Sequence, residues 1–386
     1  MTNENIKGLI GEVFNEIADA IKSGTFGKKV RVGLTTFGSE HGVEELVKAA
    51  EIATRKYSDF EVVLIGPKVE TNLKVYEVAN DEEGHKLMEE LLDKGEINGC
   101  VTQHYNFPIG VSTVGRVITP GRGNELILAT TTGTSSTHRV EGMIKNAIYG
   151  IITAKACGIA NPTVGILNVD GARQVEKALK ELKSNGYDIN FAESIRADGG
   201  VVMRGNDLLA GSTDVMVMDT LTGNLLVKIF SSFTTGGDYE SLGYGYGPGI
   251  GEGYDRLICI ISRASGAPVV AEALRFCATC AQNNIIQISK NEFEKANRAG
   301  LKEILSKLIK QAQPEDKKEI VAPPKKVVTH DIAGVDILEL ENAVKELWSN
   351  GIYSETGMGC TGPIVLVADE DADKAVEILK SKGYIA

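Results

Sequence analysis

The chain has 386 residues, 42% apolar and 24% charged, a globular balance that suits two or three folding units and a sizeable core without disulfide or metal staples. Its net charge of −11 disfavours sequence-independent binding to nucleic acid or to an anionic membrane. Glycine, at 43 residues against a usual share of about 7%, implies many tight turns and close backbone approaches, a composition suited to loops that cradle phosphate.

The first residues, among them Asn3, Glu4 and Asn5, lack a basic segment followed by an apolar one, so no secretory signal is expected. Six scattered cysteines (Cys100, Cys157, Cys259, Cys277, Cys280 and Cys360) argue for reduced thiols in a cytoplasm and against a disulfide framework. A β-branched run predicts the first strand at 30–34. Gly38-Ser39-Glu40-His41-Gly42 follows it, where Ser39 and His41 could meet a ligand, histidine being the side chain that titrates near neutrality. A satisfied surface histidine is the plainer alternative. Strands are also expected at 61–65 and 125–129. After the latter comes TTTGTSSTH, 130–138, ahead of a long helix. Thr134 and Ser135 could there offer donors to an anion, or simply cap the helix. The apolar stretch near residue 150 is interrupted by Lys145 and Lys155 and reads as a helix, not a membrane span.

A strand at 163–167 precedes an amphipathic helix over 173–183, with Val175, Ala178, Leu179 and Leu182 at helical spacing and a stop at Asn185-Gly186. The strand at 214–218 runs into Asp219-Thr220-Leu221-Thr222-Gly223-Asn224, where Gly223 permits close backbone approach and Asn224 places an amide at a helix start. An ordinary capped turn is the alternative. The Gly-Tyr tract at 236–254 fits neither the dinucleotide fingerprint nor a P-loop and is expected to be a mobile loop over a site, or a plain connection. A strand at 256–261 leads into Ser262-Arg263-Ala264-Ser265-Gly266. The planar fork of Arg263 suits a phosphate oxyanion, with a surface salt bridge as the common alternative. Cys277 and Cys280 form a CxxC inside a helix, with no second Cys or His pair at zinc spacing, so buried structural thiols are expected there and no metal. Strand–helix alternation predicts an α/β fold of three α/β/α layers with a mostly parallel sheet, and ligands outside the carboxyl ends of the strands.

Residues 313–326, QPEDKKEIVAPPKK, read as a solvated linker. The expected organisation is an α/β domain over 1–312, a linker over 313–327 and a small α/β unit over 328–386. That unit shows a helix signalled by Ile337, Leu340, Val344 and Leu347, a glycine-rich loop over 356–363 and a buried strand at 364–367. Its last helix starts among Asp369, Glu370, Asp371 and Asp373 and ends near Lys380 and Lys382, as the helix dipole favours. In the loop, Cys360 stands among three glycines. It could be a nucleophile flanked by N–H groups that stabilise a thiolate or an oxyanion, or a buried structural cysteine.

These motifs carry a resemblance. Residues 30–310 resemble the phosphate acyltransferases of bacterial phospholipid synthesis and, more distantly, the phosphotransacetylases. DTLTGNLLVK, 219–228, looks like the Asp-Gly-Phe-x-Gly-Asn-x-x-x-Lys motif of the former, with Thr220-Leu221 replacing Gly-Phe, and 244–271 looks like their glycine-rich loop, strand and helix. From end to end, including Gly359-Cys360-Thr361-Gly362-Pro363, the chain is more similar to the component C alpha-subunit family of glycine/sarcosine/betaine reductase complexes. The resemblance implies an isocitrate-dehydrogenase-like fold and an acyl transfer. A partner selenoprotein A carries a carboxymethyl group on selenium, Cys360 receives the acetyl unit as a thioester, and phosphate, the co-substrate, releases it as acetyl phosphate without a further cofactor. It places Gly223, Asn224, Ser262 and Arg263 at the phosphate or acyl site; Ser265, Thr134, Ser135, Ser39 and His41 complete the candidate set. A component C beta subunit and an oligomeric assembly are also implied. Rival readings are a phosphate acyltransferase acting on acyl carrier protein, and a non-catalytic scaffold subunit.

Overall fold

Period-two burial sets the sheet. Along Phe60–Gly66, Phe60, Val62 and Leu64 join one apolar cluster while Val63 and Ile65 join another, because successive side chains of a strand point to opposite faces. Both faces are therefore covered. The computed structural model describes residues 29–197, 199–312, 321–336, 339–359 and 362–385, with a few positions between 11 and 18.

In chain order the first elements are β1 (Val30–Thr35), α1 (Val43–Lys56), β2 (Phe60–Gly66), β3 (Lys74–Glu77), α2 (Asp81–Asp93), β4 (Gly99–Thr102), β5 (Ser112–Ile118) and β6 (Glu125–Gly133). Then come α3 (Arg139–Ala156), β7 (Thr163–Leu167), α4 (Ala172–Ser184), β8 (Asn190–Phe191), β9 (Val202–Met203), α5 (Gly205–Ala210), β10 (Val215–Val217) and α6 (Thr220–Ser232). β11 (Gly247–Ile250), β12 (Ile258–Ile260), α7 (Ala267–Gln282), α8 (Ile285–Arg298) and α9 (Leu301–Ala312) complete this part. Buried residues of α1, α3, α4, α7 and α8 pack on one face of the sheet, and those of α2, α5 and α6 on the other. This is the three-layer α/β/α arrangement expected from the alternation.

The strand order is β3-β2-β1-β4-β12-β11-β5-β6-β10-β7-β8, with β9 added on β7. Neighbours from β3 to β12 are parallel, as are those from β6 to β8. The three steps between them, β12–β11, β11–β5 and β5–β6, are antiparallel. The two parallel halves thus point in opposite directions, and the sheet has two carboxyl edges where the sequence suggested one. The reversing strands are also where sequence reading failed. β11, Gly247-Pro248-Gly249-Ile250, lies inside the expected mobile Gly-Tyr tract, yet all four residues are buried in the central sheet.

Beyond residue 320, β13 (His330–Ala333), β14 (Ser354–Gly359) and β15 (Gly362–Val367) form a separate antiparallel sheet in the order β13-β15-β14. α10 (Leu340–Ser349) and α11 (Ala372–Ser381) pack on it. Ile332, Val344, Leu347, Val365, Val367 and Leu379 belong to an apolar cluster of this unit alone. The glycine-rich stretch expected as a loop over 356–363 instead supplies the end of β14 and the start of β15, with Gly357 opposite Ile364 and Gly359 opposite Gly362. Cys360 and Thr361 lie outside the described residues, as do 313–320 of the linker and Ile337.

Candidate functional site

Two loops meet at the carboxyl edge of β1, β4 and β12. One, after β1, carries Ser39 and His41; the other, after β12, carries Ser262, Arg263 and Ser265. The Glu40 N–H donates to the Arg263 carbonyl (2.9 Å), and the His41 Nε2–H donates to the Ala264 carbonyl (3.1 Å). The Ser39 hydroxyl accepts from the His41 N–H (3.1 Å). Buried Ser265 accepts from the Ser262 N–H (3.0 Å) and donates to Glu240 Oε2 (2.8 Å). The Glu40 N–H and the His41 ring therefore tie the two loops together, while Ser39 and Ser265 brace their own turns. Arg263 is exposed, and its guanidinium has no ion-pair partner among the described residues.

α6 brings a cation to this edge. Thr220, Asn224 and Lys228 recur every four residues and so share one helical face. The Thr220 hydroxyl bonds Thr130 Oγ1 (2.9 Å), and Asn224 Nδ2 donates to the Thr131 carbonyl (2.9 Å). Lys228 Nζ lies 3.4 Å from Ser262 Oγ and 3.5 Å from Glu240 Oε1. The Glu240 side chain is 1% exposed and is also held by the Tyr246 hydroxyl (3.1 Å). Burial first, and then the Glu240 charge, pushes the Tyr246 phenol far above its ordinary value, so it remains a donor. α6 starts from Asp219, whose carboxylate accepts from the Thr222 N–H (3.1 Å). Gly223 is required by this packing, since a Cβ there would overlap the Thr130 carbonyl oxygen.

The amino end of α7 is already occupied by an anion from this chain. The Ala267 N–H donates to Glu45 Oε1 of α1 (2.9 Å), and the Tyr239 hydroxyl donates to the same oxygen (2.7 Å). Burial opposes the Glu45 charge, but these two donors bring its carboxyl below the ordinary value. Burial and the Glu45 carboxylate push the Tyr239 phenol up to about 12. Gly266 makes room for this phenol, whose ring atoms a Cβ would strike. A phosphate at this edge must lean on Lys228, Ser262 and Arg263, not on the helix end. At the end of β4, the Gln103 amide nitrogen is buried and has no hydrogen-bond partner among the described residues, while its amide oxygen lies against Gly38.

Thr134 and Ser135 lie elsewhere, beyond the carboxyl end of the oppositely directed β6. With Ser136, Arg139, Asn146, Asp219 and Thr220 they line a cavity of about 200 Å³. Asp219 pairs there with Arg139 (3.0 Å), so an anion entering it would face a carboxylate and an already neutralised cation. The structure therefore unites Ser39, His41, Ser262, Arg263 and Ser265, sets Gly223 and Asn224 on the helix that reaches them, and leaves Thr134 and Ser135 at the other edge. Sequence reading missed Glu45, Gln103, Tyr239, Glu240 and Tyr246. The acid in the first turn of α1 was the visible signal for Glu45; Tyr239 and Glu240 stood inside the glycine-rich tract.

Among known proteins, residues 30–366 match the model of a family described as fatty acid synthesis protein. The chain is 63% identical over 385 residues to the glycine/sarcosine/betaine reductase complex component C subunit alpha of Peptoclostridium acidaminophilum, with 99% of this chain and 100% of that one covered. It is 25% identical to the phosphate acyltransferase of Geobacillus sp. (strain WCH70), over 52% of this chain and 70% of that one. Among solved structures, a branched-chain phosphotransacylase from Enterococcus faecalis V583 aligns with a TM-score of 0.46 at 15% identity, covering 65% of this chain and 99% of that one. The match to the reductase subunit runs through the Cys360 segment, which the alignment with the phosphate acyltransferase, at half the chain, need not include. The chain belongs to the fatty acid synthesis protein family and, within it, to the family of component C alpha subunits of glycine/sarcosine/betaine reductase complexes.

Proposed function

We propose that this protein is an acyltransferase subunit of a reductase complex and forms acetyl phosphate from an acetyl thioester on Cys360. The observation that carries the reading is the convergence of Lys228, Ser262 and exposed Arg263 at one carboxyl edge, close to buried Glu240. Phosphate bound there has its charge offset chiefly by Arg263, with Lys228 shared between the phosphate and Glu240, and its position fixed by the Ser262 loop. A phosphate oxygen attacks the thioester carbonyl, the C–S bond breaks, and Cys360 leaves as thiolate. The thioester keeps the acyl group activated, so no nucleoside triphosphate is needed. The reductive chemistry belongs to partners: a selenoprotein A that presents the carboxymethyl group, with a component C beta subunit beside this chain.

The test is incubation of the isolated chain with acetyl phosphate, followed by peptide mass spectrometry. An acetyl adduct on Cys360 is expected, together with arsenate-dependent breakdown of acetyl phosphate that Cys360→Ala abolishes. Breakdown that survives Cys360→Ala would favour an enzyme acting on a carrier-bound acyl group. Absence of both adduct and breakdown would favour a scaffold.

A further inference from the structure

The backbone around Glu240 joins α6 to the loop after β12. The Glu240 N–H donates to the Ala264 carbonyl (3.0 Å), and the Glu240 carbonyl accepts from the Gly266 N–H (2.9 Å). One residue on, the Ser241 N–H donates to the carbonyl of Ser231, in the last turn of α6 (2.8 Å). α6 and the Ser262 loop, which belong to the two oppositely directed halves of the sheet, are thus linked without any side chain.

The Glu240 side chain is not needed for that link, and its place is an unfavourable one for a charge. It is 1% exposed, and a buried carboxylate is tolerated only when it is both hydrogen-bonded and paired. The Tyr246 hydroxyl on Oε1 (3.1 Å) and the Ser265 hydroxyl on Oε2 (2.8 Å) give hydrogen bonds but no charge. Among the described residues, Lys228 is the one cation within 4 Å of this carboxylate, its Nζ 3.5 Å from Oε1. The same Nζ lies 3.4 Å from Ser262 Oγ, and the Lys228 side chain is 47% exposed. A glutamine at 240 would still accept from Tyr246 and could donate to the Ser265 oxygen. Only the ammonium calls for a carboxylate. The four-carbon lysine stem carries several rotamers, so an exposed ammonium with no fixed counter-charge would spread over many positions.

We propose that Glu240 is a positioning residue for phosphate, which holds the Lys228 ammonium beside the Ser262 hydroxyl so that both meet the same oxyanion. The proposal rests on the reading of this edge as a phosphate site. Glu240, closed off from solvent, acts through Lys228 and does not touch phosphate itself. It draws some of the ammonium charge to its own side, and in return the donor pair is set before phosphate arrives.

The test is equilibrium dialysis of radiolabelled phosphate against the full-length wild-type chain, Glu240→Gln, Lys228→Ala and the double variant, with KM for phosphate in the acetyl phosphate assay alongside. Glu240→Gln should weaken phosphate binding about three- to tenfold and leave kcat at saturating phosphate nearly unchanged. The double variant should bind no worse than Lys228→Ala alone, because the two residues act as one unit. Losses that multiply in the double variant would assign Glu240 a merely structural role and overturn the proposal. So would unchanged or tighter binding in Glu240→Gln, the latter meaning that the carboxylate only competes for the ammonium. Should the glutamine variant not fold, Tyr246→Phe, which keeps the charge and releases Oε1, gives the same cycle. Its loss of about two- to fourfold should vanish in the Lys228→Ala background. Phosphate binding without turnover would sink the acyl-transfer reading and leave the role of Glu240 standing. Turnover with unaltered binding in Glu240→Gln would do the reverse, and a wild-type chain that binds no phosphate would overturn both.

Discussion

Arg263 and Lys228 differ from the other candidate residues in what they leave free. Ser39 and Ser265 hold bonds within their own turns, Ser265 also to Glu240, and His41 reaches the Ala264 carbonyl, whereas Arg263 has no ion-pair partner among the described residues and Lys228 lies between Ser262 and Glu240. A charge-assisted hydrogen bond is worth about 1.5–3 kcal/mol, and about 1.4 kcal/mol is tenfold in affinity. Arg263→Ala and Lys228→Ala should each raise the KM for phosphate about tenfold or more in the acetyl phosphate assay. An unchanged KM in both would move the phosphate elsewhere. Glu45 acts on stability, not on phosphate. Its carboxyl lies below the ordinary value in the folded chain, so its contribution is complete above the usual carboxylate range and is lost as pH falls through the lowered folded value. Glu45→Gln should therefore cost about 0.5–2 kcal/mol at neutral pH, the range for a lost helix cap. The gap between the two melting curves should narrow in acid. Arg263 could be read from the sequence because guanidinium chemistry suits phosphate; Glu45 could not, because its partner is 222 residues away and an acid in a first helical turn is unremarkable in itself.

α6 shows how one element can be half legible. Its site face, Thr220, Asn224 and Lys228, falls within a motif seen in the sequence. A neighbouring face, Leu221, Leu225 and Ile229, with Phe233 just past the helix end, is 49–71% exposed, although apolar residues at that spacing would ordinarily be assigned to a core. The turn at Gly223 decides which face goes inward, since only glycine passes the Thr130 carbonyl. Gly223→Ala should lower stability by about 1–3 kcal/mol, the usual cost of overpacking, and reduce activity with it. Leu225→Gln, two positions on, should change stability by no more than about 0.5 kcal/mol, as for an exposed site. Thermal melts of the two variants, side by side, check the assignment of faces. Strands rich in valine and isoleucine, such as β1 and β7, were legible for the same local reason that β11 and β14 were not. Gly247-Pro248-Gly249 and Gly357-Met358-Gly359 have little intrinsic strand preference, and pairing with neighbours places them in sheets.

At the scale of the whole molecule, the three apolar clusters fall into a sheet covered on both faces and a separate small unit. Val321 and Val327, in the described part of the linker, are more than 80% exposed. If Cys360 must visit both a partner's active site and the edge occupied by Lys228, Ser262 and Arg263, the 15 residues between the two units set how far it can travel. Fully extended they span at most about 50 Å, and removing seven takes away about 25 Å. Deletion of 314–320 should slow acetyl phosphate formation severalfold, because the thiol is kept from one of its two stations. It should leave the melting temperature in place, since the deleted sequence reads as a solvated linker. Refilling the gap with seven glycine and serine residues should restore the rate, as length and not sequence would be the requirement. An unchanged rate in the shortened chain would mean that Cys360 already sits at the phosphate site and does not travel, and partners would then have to bring the acyl group to it.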